Sequence, residues 1–456
     1  MADKKVVVIG AGPAGVNTAC SLAESGFEVY LVDEKLGGVY CNYGSMISNY
    51  MLSQSSIYSE FKDKVLPILE NKDELSLALD YKKIRKNIEN LRNKLLKIYK
   101  EQLDDSGVRY IEGKACFIDN ENIKIKKHDG SEETVKFYRS IIATGSKEIK
   151  FENISCKRVL SSSNISSMEN TPKSIVIIGG GFVGCEFATF FKRLGVSVSI
   201  VEKDSRILKL FDEQITKKLE DSFRKDGVEI YLNKTVQNID RVGNKNIIFL
   251  ENDEKLEAEE VLISIGRVPN INNLNLEAAG VKVENNMLVL DENLRTTNKD
   301  IYAVGDATGD NMLVSWACVS SDIVVADILN KKVNKKYIFP KVAYLDPEVA
   351  SVGLTESEAE NRGYDTATIR YSYSDLEKSL ITGHTKGYAK IIFDRKNKNV
   401  LGAHIIGEGA SELISMFSII IQAEIKVDGI SEFVFNHPTF AEVISEIGSK
   451  AKLKAK

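Results

Sequence analysis

Residues 6–15 read VVVIGAGPAG and residues 175–184 read IVIIGGGFVG. Each is an apolar run entering Gly-x-Gly-x-x-Gly, with Gly10, Gly12 and Gly15 in the first copy and Gly179, Gly181 and Gly184 in the second. In such a turn the first glycine admits a tight bend, the second lets a pyrophosphate approach the main chain, and the third lets a helix pack closely. A helix is expected to begin at the third glycine and occupy residues 16–25 in one copy and 185–194 in the other. Gly26 or Gly195 then leads into a second strand ending in an acid, Asp33 or Glu202, each 23 residues after its first glycine. A carboxylate there accepts from a ribose 2′-hydroxyl and repels a 2′-phosphate. Strand, glycines, helix, strand and acid, repeated 169 residues apart, imply two dinucleotide sites. Glu202 favours NAD in the second, although Lys203 and Arg206 stand near enough to offer a phosphate site instead.

The 456 residues, at about 150 per domain, suggest about three domains. With 43% hydrophobic and 28% charged residues the chain can bury a large core, which excludes a disordered or collagenous polypeptide. Sixty-one Lys and Arg against 65 Asp and Glu leave a net charge of −4, so no global field recruits nucleic acid or an anionic membrane. Six cysteines (Cys20, Cys41, Cys116, Cys156, Cys185, Cys318) are scattered without Cys-x-x-Cys, the usage of a reduced intracellular chain with no zinc knuckle or other metal site. Met1-Ala2-Asp3-Lys4-Lys5 leads directly into the first apolar run, so no signal peptide is expected. The apolar stretch 413–421 falls far short of the ~20 residues that span a bilayer. A cytoplasmic protein is expected, its lysine tail (Lys450, Lys452, Lys454, Lys456) a solvated terminus. Within the charged stretch 54–107, Ile84, Ile88, Leu91, Leu95 and Ile98 give residues 81–103 a helical stripe. Seven prolines and no low-complexity linker predict domains that abut.

Further motifs give the chain a resemblance, over nearly its whole length, to the FAD-dependent pyridine nucleotide-disulfide oxidoreductases of the lipoamide dehydrogenase and glutathione reductase group. Ala143-Thr144-Gly145-Ser146 resembles that family's exit from its FAD domain, and Gly266-Arg267-Val268-Pro269-Asn270 the return from its NAD domain. IYAVGD at 301–306 resembles the second FAD motif, with Gly305 in the turn and Asp306 on the ribityl chain. DPEVASVGLTE (346–356), LGAHIIG (401–407) and NHPTFAEVISE (436–446) resemble the dimerisation domain. The resemblance implies an α/β fold of two Rossmann-like domains plus a C-terminal α+β dimerisation domain. Its expected division is an FAD domain at 1–148 and 272–337, an NAD domain at 149–271 and the interface domain at 338–456. It also implies a homodimer in which His437 and Glu442 complete the partner's site, with a cis bond before Pro438. His128, His384 and His404 read as structural or solvated.

The family carries Cys-x4-Cys after a Gly-Gly pair. Here the segment is Gly37-Gly38-Val39-Tyr40-Cys41-Asn42-Tyr43-Gly44-Ser45-Met46-Ile47-Ser48-Asn49. Asn42, Gly44 and Ser48 fix the register, which puts Tyr40 and Ser45 on the two cysteines and Asn49 on a lysine that pairs with the glutamate matching Glu186. Gly38 and Asn42 fall on FAD-binding positions, and the same helix is expected to run on beneath the flavin. Serine and tyrosine cannot perform thiol-disulfide exchange. Cys41, one step out of register, reads as a packing thiol, and Glu186, left without its cation, should have a raised pKa. The resemblance puts Phe182 where several relatives have a tyrosine that gates the nicotinamide pocket. The expected function is oxidation of NADH through FAD, with electrons passed to an acceptor other than a disulfide: a small organic molecule, quinone, flavin, oxygen or second nicotinamide nucleotide. Two alternatives stay open at this point, a dihydrolipoamide or disulfide oxidoreductase using Cys41 or an external thiol, and a flavin-binding relay or structural subunit of a larger complex.

Overall fold

The first apolar run forms the strand Lys5–Ile9, in which Val6, Val7 and Val8 are wholly buried. Such a continuous apolar strand belongs inside a parallel sheet covered on both faces. It lies between Arg139–Ile142 and Glu28–Asp33, with Ile301–Ala303 outside the former and Arg109–Phe117 outside the latter, all parallel. Antiparallel strands Asn122–Lys127 and Glu132–Lys136 extend the sheet to seven. This computed structural model describes residues 4–70, 72, 75, 77–152, 159–332 and 337–454, with the side chain of residue 454 undescribed; Met1, Ala2, Asp3, Cys156 and Lys456 lie outside the described residues.

Helix α1 (Pro13–Glu24) starts two residues before Gly15, not at it. Gly12 is the extended N-cap and Pro13, with its φ preset and no N–H to satisfy, opens the first turn. Gly15 therefore lies in that turn, where an added Cβ would come within 1.8 Å of the Gly10 carbonyl oxygen. After Asp33, helix α2 (Gly38–Asn42) and helix α3 (Ser45–Glu60) are separated by Tyr43 and Gly44, so the helix expected through this segment is two. Gly44 permits the break: a Cβ there would stand 2.9 Å from the Val39 carbonyl oxygen. Helix α4 (Tyr81–Asp105) is capped by Asp80, whose side chain accepts from Lys83 N. It buries Tyr81, Ile84 and Ile88 and packs Leu91 and Leu95 against the core, but Ile98 is about half exposed and leaves the expected stripe.

The second nucleotide unit repeats the first. Ser174–Ile178 lies between Ser197–Val201 and Glu260–Ile263 in a parallel sheet, flanked by Glu229–Tyr231 and Leu160–Ser161. Helix α5 (Phe182–Arg193) again begins just after the second glycine of its turn, and helix α6 (Glu213–Lys225) follows the strand that leads to Glu202. An antiparallel pair, Ser146–Glu148 with Arg267–Pro269, carries the chain out to this unit and back. The C-terminal part is a five-stranded antiparallel sheet, Lys341–Ala343, Val349–Gly353, Val400–Ile406, Tyr388–Asp394 and Thr366–Ser372 in order. Helices Ala410–Gln422 and Glu442–Lys454 cover it.

One hydrophobic core ties the parts together: Met46, Met51 and Ile84 from the first unit, Phe187, Phe190 and Phe191 from α5, and Leu345 and Val349 from the C-terminal part. Arg193 bridges the same junction, donating to the Leu52 carbonyl at 3.4 Å and pairing with Asp346 at 3.5 Å. Among the described residues no helix is long and apolar enough to cross a membrane.

Candidate active site

The two nucleotide turns open at the C-terminal ends of their central strands, where ligands enter doubly wound sheets. In the first, Gly10 has a φ of +113°, and a Cβ there would stand 2.2 Å from the Ala143 carbonyl oxygen. Asp33 Oδ2 accepts from Ala11 N at 2.6 Å, and burial pushes its pKa up against that bond. Gly38, also at positive φ, lies over Gly12, and a Cβ on Gly38 would strike Gly12 Cα at 2.7 Å. Asp306 Oδ2 accepts from Ser146 Oγ at 2.6 Å, while Arg267 donates to that same hydroxyl at 2.8 Å and to the Ser146 carbonyl at 2.8 Å. Gly145 accepts from Asn270 N, Gly266 from Ile149 N, and Gly305 N donates to Ser320 Oγ.

Three observations test whether these residues fit an FAD. A Cβ on Gly12 would meet only Gly38 Cα, at 3.8 Å, so the protein's own packing does not require glycine there. Thr144 Oγ1 and Asn42 Oδ1 are buried without a hydrogen-bond partner, a costly arrangement unless a ligand supplies one. The residues fit: Gly12, Asp33, Gly38, Asn42, Thr144 and Asp306 offer the donors, acceptors and space.

The second turn has the same build. A Cβ on Gly184 would lie 1.9 Å from the Gly179 carbonyl oxygen, whereas one on Gly181 would meet nothing within 4 Å. Glu202 is buried, accepting from Gly180 N at 2.6 Å and Asp204 N at 2.8 Å. Arg206, which with Lys203 is the alternative that would suit a 2′-phosphate, donates to the Lys209 and Phe211 carbonyls of its own loop and to Thr216 Oγ1 on α6.

Tyr40, on α2, is part buried against the main core, and Ser45 opens α3 exposed to solvent. Cys41 points elsewhere. It is fully buried beside Gly37, where an added Cβ would strike both Cys41 Cβ and Leu96 Cδ2 at 2.7 Å, and is hydrogen-bonded to Tyr99, and burial pushes its pKa up to about 11. A thiol so placed is protonated at neutral pH and screened from reagents. Glu186, near the start of α5, is buried with one donor, Tyr344 N at 3.3 Å, and burial raises its pKa to about 7. Phe182 packs on Phe211, centroids 5.0 Å apart.

At the far end of the chain, His437 Nδ1 lies 2.8 Å from Glu442 Oε1, and Thr439 N donates to Oε2 at 2.8 Å. The Glu442 hydrogen bond raises the His437 pKa. The His437–Pro438 peptide is cis, as is Asp346–Pro347. His437 stays exposed, its other nitrogen 3.4 Å from Glu377, so the polar contacts of this pair are with its own C-terminal part, not with Tyr40 or Ser45. His404 is buried between Ser351 Oγ and the Leu354 carbonyl, and His384 lies between Lys64 and Glu408. Tyr344 and Glu377 join the site through contacts between residues distant in sequence, which no local motif announces.

The pyridine nucleotide-disulphide oxidoreductase family model matches residues 4–321, and that family's dimerisation domain matches residues 339–447. A dihydrolipoyl dehydrogenase of Staphylococcus aureus is 30% identical, covering 98% of this chain and 97% of its own length. A soluble pyridine nucleotide transhydrogenase of Vibrio atlanticus is 31% identical, covering 96% and 95%. The crystal structure of LpdA from Mycobacterium tuberculosis shares the fold, with a TM-score of 0.91 at 24% identity over 98% of this chain and 100% of that one. With two nucleotide turns, a cradle that fits FAD and a matching C-terminal part, the chain belongs to the pyridine nucleotide-disulphide oxidoreductase family, whose cofactors are FAD and a pyridine nucleotide.

Proposed function

We propose that this protein oxidises NADH and delivers the electrons to an acceptor other than a disulfide of its own. The observation that carries the reading is the segment from Gly37 to Asn49: Tyr40 and Ser45 stand where the resemblance puts the redox cysteines, and Cys41 is buried against α4 with its pKa at about 11. FAD, when bound, supplies the two-electron chemistry between nicotinamide and acceptor. The chain's own residues bind and orient. Glu202, with both carboxylate oxygens on backbone N–H groups, presents a fixed negative site that suits a free ribose diol, and Arg206 is committed to its own loop, so NADH is preferred over NADPH.

Tyr40 and Ser45 offer hydroxyls to the acceptor. His437, with its proton affinity raised by Glu442, is the group that exchanges a proton with it. His437 of that dyad is exposed on the protomer, Glu442 is part buried, and Phe433 and Val434 nearby in sequence are exposed as well, Val434 to 98%. A second copy of the chain covers this face and brings His437 to its partner's Tyr40 and Ser45. The proposed division is residues 1–148 and 272–337 for FAD, 149–271 for NADH and 338–456 for the dimer contact.

The test is anaerobic. Mixing the FAD-loaded protein with NADH should bleach the flavin absorbance, with NADPH far slower. Quinones, free flavin, enones, oxygen and lipoamide are then screened for return of the colour. Return with a non-disulfide oxidant and none with lipoamide is expected, whereas rapid lipoamide turnover would refute the reading.

A further inference from the structure

The loop 203–211, which follows Glu202, is fastened to the nucleotide turn on one side. Leu208 N donates to the Gly180 carbonyl at 2.8 Å, Phe211 packs on Phe182, and Ile207 lies so close that a Cβ on Gly180 would meet its Cγ2 at 2.8 Å. Arg206 holds the loop from within through three bonds to the Lys209 and Phe211 carbonyls and Thr216 Oγ1. The next residue, Asp212, caps α6, its Oδ1 accepting from Gln214 N at 3.1 Å and Ile215 N at 3.4 Å.

The other oxygen of Asp212 is held by the C-terminal sheet. Lys390, on the strand Tyr388–Asp394, has no solvent exposure on its side chain and donates to Asp212 Oδ2 at 3.1 Å, Gln214 Oε1 at 3.1 Å and Glu356 Oε2 at 2.8 Å. Its three ammonium protons thus meet three acceptors, and Arg370 from the neighbouring strand reaches the same Gln214. A fully buried lysine is rare, and apolar residues of similar volume commonly stabilise a core as well or better. What a saturated ammonium adds is direction, since each acceptor is held at one distance from one point.

We propose that Lys390 is a positioning residue for the pyridine nucleotide. It anchors the start of α6, and with it the loop 203–211, so that Gly180, Glu202 and Phe182 keep the arrangement that receives the dinucleotide. The C-terminal domain thereby sets the affinity of the nucleotide site without touching the ligand. The inference rests on the reading of this turn as the NADH site, and it concerns affinity, not hydride transfer.

Two variants test it in the FAD-loaded, full-length protein. Lys390→Met removes the ammonium. A triple variant, Lys390→Met with Asp212→Asn and Glu356→Gln, also removes the carboxylates it would strand, while asparagine keeps the helix cap. NAD+ and ADP-ribose binding is measured by calorimetry, and flavin bleaching against NADH concentration by stopped flow. Both variants should bind the two probes about tenfold more weakly, within the usual range of coupling between sites. The KM for NADH should rise equally, with FAD content and the limiting bleaching rate at wild-type values. Wild-type affinity in the triple variant overturns the proposal, as does loss of FAD or of the limiting rate in both variants, which marks a general structural role. Wild-type protein that binds ADP-ribose but is not bleached by NADH overturns the functional reading alone, and calorimetry still decides on Lys390.

Discussion

At the scale of single residues, Cys41 and Glu186 show burial raising the pKa of two titratable groups and favouring the neutral form of each. The Cys41 thiol is held neutral and inert, so Cys41→Ala should leave NADH-dependent bleaching and reoxidation at wild-type rates; a lost acceptor reaction would return the thiol to the mechanism. Glu186 has one backbone donor and a pKa near 7, so the folded chain keeps a proton that the unfolded chain releases in the ordinary carboxylate range. The folded state holds more protons between those two values, and stability falls as pH rises through that window. Glu186→Gln should abolish this slope. Urea unfolding at pH 5 and pH 8 should show wild type losing about 2–3 kcal/mol more than the variant across the interval, from roughly 1.4 kcal/mol per pKa unit. Asn49 is neutral where the resemblance puts a lysine, and Asn49→Lys should lower the Glu186 pKa and shift the same slope toward acid.

At the scale of elements, α5 fills the joint between the parts of the molecule. Phe187, Phe190 and Phe191 are almost wholly buried there, and Phe190 meets both neighbours edge to face. Phe190→Ala should destabilise the protein by about 3–5 kcal/mol, measured by urea unfolding, as a large aromatic deletion in a packed core does. The two glycine turns were legible in the sequence because their chemistry is local: strand, glycines and acid lie within two dozen residues, and the third glycine packs on the first carbonyl. Helix starts are less legible, because the third motif glycine lies inside the first turn and nothing in the motif marks Pro13 or Phe182 as the first helical residue. The break between α2 and α3 depends on how Gly44 lies against Val39, a contact that composition does not reveal. The bonds of Arg206 and Lys390 were illegible for a related reason, because one is spent inside a loop fold and the other spans 178 residues.

At the scale of the whole molecule, the His437–Glu442 pair is complete within one protomer, and among the described residues its polar contacts are with its own C-terminal part, while Tyr40 and Ser45 lie on another part of the chain. If a second copy joins them, Val434→Asp should weaken self-association by sedimentation and reduce acceptor turnover on dilution, and His437→Ala should reproduce the loss in an intact dimer. Unchanged turnover in both would remove His437 from the proton path. The central claim, that no dithiol stands between flavin and acceptor, is tested most directly by counting electrons in an anaerobic reductive titration of the FAD-loaded protein. The account expects one two-electron equivalent per flavin to complete the bleaching, with no long-wavelength band from a thiolate beside the flavin. Uptake of a second two-electron equivalent, together with that band, would contradict it.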